Sequence, residues 1–415
     1  MPSSRVETRY GLAFAIFACT YFLSALLRAV TATLAPEFTA EFKLGAADLG
    51  LLAGSYFLGF ALLQLPLGAA LDKWGPRATE ACLVGLAAVG CAWFAQARTF
   101  EQLVWARVLV GMGVSACLMA PLTFFRRHTG EAVQMRLNSW MLMTGSFGML
   151  ASTVPVQHLL PIWGWRGLFA GLALLLAVSV LALRLGVRSS PVPVSADRPS
   201  TSSTRYRDIL MHPVFIRLAP MGFVLYGGLI AIQALWAGPW LTQVCGWSPT
   251  QAGKGLLLIN AAMLCAFFVG GVFLPRLHRS GIDANRLLTF GVPVGLVALL
   301  ALIWAGPSAT AVSWMGWCVA TSVLSISQPA VAQAFPVRAA GRALSAFNLV
   351  IFAGVFALQW GIGAIVDGLR SSGFSTPAAF RGAMGTVLAL GATSYLWYRV
   401  RAAADVHNVG NGPPR

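Results

Sequence analysis

Charge is scarce in this chain. Only 10% of its 415 residues are Asp, Glu, Lys or Arg while 57% are hydrophobic, and a soluble domain carries about a quarter charged residues. A water-facing globular surface is thereby excluded. Acidic residues are the scarcer kind, 13 against 29 Lys plus Arg, for a net charge of +16. The basic residues come in short clusters between apolar runs and build no basic domain, so nucleic acid is not the implied partner. The seven cysteines include no CxxC pair, which removes a zinc site and a disulfide framework. No nucleophile–base or metal-ligand constellation is visible either, so neither an enzyme, a metal nor a cofactor is expected. The polar start MPSSRVETRY lacks a convincing cleavage site, and the apolar run after it is expected to stay as a first helix.

Long apolar runs, by contrast, recur along the whole chain. An α-helix rising ~1.5 Å per residue needs roughly 20 residues to cross a ~30 Å hydrocarbon core, and lipid cannot satisfy an exposed backbone, so the runs predict helices. They fall at 11–34, 47–71, 78–97, 101–125, 132–158 and 163–185, then at 214–244, 249–274, 285–305, 308–333, 342–369 and 381–399. The expected architecture is an all-α membrane protein of twelve helices, six in 1–185 and six in 214–415. Between them, 186–213 is Pro/Ser-rich and polar, a composition that buries no core and predicts a mobile linker. Lys and Arg favour one set of connecting segments by roughly three to one, which places both termini and the linker in the cytoplasm.

The segment after the second run reads GAALDKWGPR, residues 68–77. Its Gly68, Leu71, Asp72, Lys73, Gly75 and Arg77 resemble the loop signature of the major facilitator superfamily. The resemblance continues in WARVLVGMGVSACLMAP, with Arg107, Gly111 and Gly113, and in GWRGLF, with Trp165 and Arg166. In the second half Gly271, Pro275, Arg276 and Gly281 stand where a second copy of the loop belongs, with proline in place of its acidic residue. The resemblance implies two six-helix bundles related by a pseudo-two-fold axis that rock about a central cavity. It also implies that Asp72, Lys73, Gly75 and Arg77 gate the change of state. A monomer in a bacterial inner membrane is expected.

An ionisable group inside a membrane is expensive and marks function by default. Arg28 and Arg107 lie well inside their runs, each about six residues, or ~9 Å, from the external boundary. A guanidinium grips carboxylate or phosphate bidentately, so a small organic anion is the economical substrate. Tyr21, Ser24, Leu27, Arg28 and Ala35-Pro36-Glu37 resemble the first helix of bacterial organic-anion facilitators, where the arginine holds the substrate. Arg107 belongs to a signature shared by facilitators of unrelated specificity, which leaves a structural role open beside a ligand role. No acidic residue is expected deep in a span: Asp72, Glu80, Glu101, Glu131 and Asp367 all fall near run ends. Protons as a coupling ion would then move with the substrate's carboxyl, through Glu101 or through His158.

In the seventh run Gln233, Trp236 and Trp240 follow at three- and four-residue steps and share a helical face, readable as a substrate wall or as packing. Tyr56, Tyr226, Asn260 and Asn348 are further candidate substrate contacts, the last two equally readable as helix–helix glue. Two other functions compete with anion transport: a drug or siderophore exporter, disfavoured because the fifth run lacks a Gly-Pro pair, and a receptor that transports nothing.

Overall fold

Lipid-facing helices must satisfy their own backbone, and the chain does so almost throughout. The computed structural model describes residues 3–129, 131–187, 205–280 and 283–410. In chain order the helices are α1 (Ser3–Phe42), α2 (Ala46–Leu62), α3 (Gln64–Gln96), α4 (Phe100–Val114), α5 (Met119–His128), α6 (Glu131–Ala151), α7 (Val154–Gly186), α8 (Tyr206–Leu210), α9 (Pro213–Met221), α10 (Gly227–Ala231), α11 (Ala237–Pro239), α12 (Pro249–Arg279), α13 (Ala284–Ala305), α14 (Ala311–Thr321), α15 (Ser327–Gln333), α16 (Val337–Ser371) and α17 (Thr376–Gly410). No strand occurs among the described residues.

Proline explains most of the breaks, because its ring displaces the carbonyl four residues upstream. Pro66 sits four residues after the end of α2 at Leu62, and Pro155 four after the end of α6 at Ala151. Pro121 follows Cys117 in the gap between α4 and α5, and Pro329 follows Ser325 in the 3₁₀ stretch Ser322–Ile326. Pro239 follows Leu235 within the π-helical stretch Ile232–Trp236, one of three such stretches between 222 and 244. The seventh run is therefore irregular along its length, as its glycines and proline foretell. α3 and α7 each turn at a glycine in the left-handed region, Gly75 at φ 77° and Gly164 at φ 62°. A side chain is strained at such a φ, which accounts for the glycine in the 68–77 loop.

Divided at these turns, the helical segments overlie the runs read from the sequence. Among the described residues eight stretches are by themselves long and apolar enough to cross a membrane. Leu185, Trp304, Phe290, Phe268 and Ile162 are all more than 70% exposed, and apolar side chains of that number on an outer surface call for lipid. The chain is an integral membrane protein. Most of the linker, 188–204, and Gly281 of the second loop copy lie outside the described residues. The linker's end differs from its composition: α8 begins at Tyr206, with Asp208 accepting from the Arg205 amide at 2.9 Å and Ile209 buried.

The two sequence halves meet at the end remote from the 68–77 loop. Asp367, near the end of α16, accepts from the amides of Ala46 at 3.0 Å and Ala47 at 2.7 Å and so caps the start of α2. Gln157 of α7 donates to the Pro249 carbonyl at 2.8 Å. Between these bonds α2 and α16 lie so close that a Cβ on Gly50 would strike the Gln359 carbonyl. Deeper in, Phe60 packs on Phe352 at 4.5 Å between centroids.

Candidate functional site

Thr20, Ser24 and Arg28 recur every four residues and share one face of α1. Arg28 is half-buried there, set among the phenols of Tyr56, Tyr21 and Tyr226, with its guanidinium 5.9 Å from the Phe60 ring centroid. Its buried Nε has no hydrogen-bond partner, and no carboxylate is described against it. Tyr226 comes from the second half, so the ring of phenols spans both halves.

Arg107 is placed differently. It is fully buried, donates from one guanidinium nitrogen to the Leu27 carbonyl at 2.9 Å and lies 5.0 Å from the Tyr56 ring centroid. The Tyr56 hydroxyl in turn donates to the Ser24 carbonyl at 3.2 Å. The two arginines thus flank one tyrosine, Arg107 enclosed in helix packing and Arg28 turned toward the three phenols. The shared depth expected from the sequence brings them together, but only Arg28 has the accessibility of a ligand.

In the second half the candidates separate. Trp236 and Trp240 are fully buried: the Trp236 indole donates to the Gln359 carbonyl at 3.1 Å, and Trp240 packs edge-on to Trp314 and near Phe380. They fill the interior of that half. Gln233 donates to Asn260 at 3.0 Å, and Gln328 donates to Asn348 at 2.5 Å, so Asn260 and Asn348 each join two helices.

The loop residues also have definite partners. Asp72 is 80% exposed on its side chain and pairs with Arg127 of α5 at 3.2 Å, within its own half; the Lys73 ammonium lies 5.7 Å from the Trp74 ring centroid, and Arg77 is half-buried. An exposed pair of this kind contributes about 0–1 kcal/mol. Asp72→Asn is therefore expected to leave thermal stability nearly unchanged and to retain equilibrium binding while uptake slows severalfold. Paired uptake and binding measurements in proteoliposomes check it, and loss of binding by a folded variant contradicts a gating role. Trp165 and Arg166 instead clamp the end of α1: both reach Glu41, at 2.7 and 2.6 Å.

One expectation is overturned. Glu80 is fully buried, its Oε1 2.5 Å from the Thr20 hydroxyl and its Oε2 without a partner. The error came from equating distance along a span with burial. Glu80 lies only four residues past Pro76, yet α1 and the α4–α5 rod cover it laterally. No local sequence signal marks that cover, nor the part played by Asp367 across the halves.

A helical membrane fold whose two halves share a cation with no described carboxylate beside it fits the secondary transporters. The model of the Major Facilitator Superfamily matches residues 17–358, and the chain belongs to that family; it is a transporter and not an enzyme. Among curated proteins it is 26% identical to the 4-hydroxybenzoate transporter PcaK of Pseudomonas aeruginosa, over 73% of this chain and 69% of that one. It is 23% identical to a glucose/galactose transporter of Brucella abortus, over 72% and 74%. Among solved structures it superposes on a D-xylose-proton symporter with a TM-score of 0.75 at 15% identity, covering 94% of this chain and 97% of that chain. A bacterial homologue of the lysosomal transporter Spinster, inward-facing and unoccupied, gives 0.72 at 18% identity, over 95% and 97%.

Proposed function

We propose that this transporter carries a small organic anion, a carboxylate with an aromatic ring, by alternating access between the two faces of a bacterial inner membrane. The observation that carries the reading is Arg28, a half-buried guanidinium with an unpartnered Nε, no described carboxylate and three phenols around it. Leaving such a charge uncompensated in a membrane interior is expensive, and an anionic substrate compensates it. Tyr21, Tyr56, Phe60 and Tyr226 offer faces and edges to a ring behind the carboxylate. The activity for which the Pseudomonas relative is named, 4-hydroxybenzoate transport, is compatible with this chemistry.

In this reading residues 1–185 and 214–415 form the two rocking bundles of six helices, and 186–213 joins them on the cytoplasmic side with both termini. The state described is the one closed at the Asp367 end, which is then the external end. The test is thermal stabilisation of the purified protein by a panel of 4-hydroxybenzoate, benzoate, phosphate, glucose and a lipophilic cation, since a ligand of the folded state raises its apparent stability. Stabilisation by the two aromatic carboxylates supports the reading. Stabilisation by glucose or the cation alone overturns it.

A further inference from the structure

We propose that Glu80 is a proton-binding site of this transporter and that its protonation is required for the closed packing seen around it. The inference rests on the reading of the chain as a transporter and adds the coupling ion and the residue that holds it.

Hydrogen inventory carries the argument. The Thr20 hydroxyl oxygen lies 2.8 Å from the Phe17 carbonyl and 2.5 Å from Glu80 Oε1. A hydroxyl has one hydrogen and two lone pairs, and a carbonyl only accepts. If the Thr20 hydrogen goes to Phe17, as is usual for a helical threonine bonding back along its own turn, the contact to Glu80 requires a hydrogen on the carboxyl. The neutral acid donates to Thr20, and both contacts are then satisfied. An ionised Glu80 would leave one carboxylate oxygen with at most a shared hydrogen and the other with none. In a site with no exposure such a charge is strongly disfavoured.

Among the described residues no cation is hydrogen-bonded or ion-paired to Glu80. Thr20 comes from α1, and Cys117, from the gap between α4 and α5, lies in the neighbourhood of both Glu80 and Arg28. On α7, which packs along α3, Ser179 meets Cys19. At the end of α5, Arg127 pairs with Asp72, and His128 stacks on Phe124, whose ring packs on Phe17. Arg28 stands on the same face of α1 as Thr20, eight residues on, or ~12 Å. Glu80 and the anion site are thus connected through one helix face and one thiol.

The cycle balances as a single proton. In a state that admits water to Glu80 the carboxylate gains a proton, an O–H bond forms, and the neutral acid permits α1, α3 and the α4–α5 rod to close. When the opposite state hydrates the group, that O–H bond breaks and the proton leaves to the other side. Substrate and proton are then coupled because both change what α1 can pack against.

Two measurements on reconstituted full-length protein decide the matter. Infrared difference spectroscopy is expected to show a protonated-carboxyl C=O band at neutral pH that is missing in Glu80→Gln and shifted in Thr20→Val, which keeps the carboxyl but removes its partner. With 4-hydroxybenzoate as probe, Glu80→Gln is expected to lose pH-gradient-driven accumulation at least tenfold while retaining exchange between preloaded vesicles and medium. A band that persists in Glu80→Gln, or a Glu80→Gln protein that accumulates the probe as well as wild type, overturns the proposal. If wild type neither binds nor moves 4-hydroxybenzoate, the substrate reading fails by itself, and the infrared band still decides Glu80.

Discussion

Replacing Arg28 by alanine is expected to lower the affinity for an aromatic carboxylate by a factor of about 100 to 10,000 while leaving the protein folded. A charge-assisted hydrogen bond contributes roughly 1.5–3 kcal/mol, a bidentate grip makes two, and each 1.4 kcal/mol is a factor of ten. Arg28→Lys keeps the charge without the planar fork and should fall between, about tenfold weaker than wild type. Stability separates this role from packing. Arg28 is only half-buried and has no described acidic partner, so its removal leaves no cavity and no orphaned charge and should leave the melting temperature nearly unchanged or raise it. Arg107→Ala is the internal control, because Arg107 fills buried space and holds the Leu27 carbonyl; it should lose stability. Titration calorimetry with benzoate and thermal unfolding of the three variants read both effects. A well-folded Arg28→Ala protein with unchanged benzoate affinity removes the anion assignment.

The second large effect is expected at Gly50. Any side chain there meets the backbone carbonyl of Gln359 in the opposite half, and a backbone atom cannot rotate away as a side chain can. Overpacking typically costs 1–3 kcal/mol or more, and moving a two-state equilibrium from 1:99 to 99:1 takes about 5.5 kcal/mol. Gly50→Leu should therefore shift the population at least tenfold toward the state in which this end is open, and slow transport accordingly. Accessibility reads it: an added Ala47→Cys should react at least ten times faster with a membrane-impermeant maleimide in the Gly50→Leu background. Gly111→Leu makes the contrast. Its Cβ would strike the Tyr56 carbonyl at the α2–α4 contact inside one half, a contact that separation of the halves does not relieve, so that variant should lose stability instead. Unchanged labelling in a folded Gly50→Leu protein would show that the halves do not separate along this seam.

Much of the fold is legible because the bilayer imposes one rule on every apolar run, and the breaks are legible wherever proline acts on a carbonyl four residues upstream. The 68–77 loop could be placed because Gly75 performs a backbone task that other residues do poorly. Arg28 stood out since its cost is visible without neighbours. Roles that depend on neighbours were not legible. The spacing of Gln233, Trp236 and Trp240 places them on one helical face but cannot say whether that face meets a cavity or, as for the two tryptophans, Trp314 and Phe380. Asn260 and Asn348 each find an amide partner on another helix. Glu80 shows the limit best, because position in a span fixes distance from the membrane edge and leaves lateral cover undetermined.

The cap that Asp367 places on α2 ties a local property to a global one. The amides of Ala46 and Ala47 belong to one half and their acceptor to the other, so they are held by protein only while that end is shut. When it opens, the same two N–H groups must turn to water. Their hydrogen-exchange rates consequently count openings of the transporter, with no label attached and no substrate known, at the two residues where a helix starts.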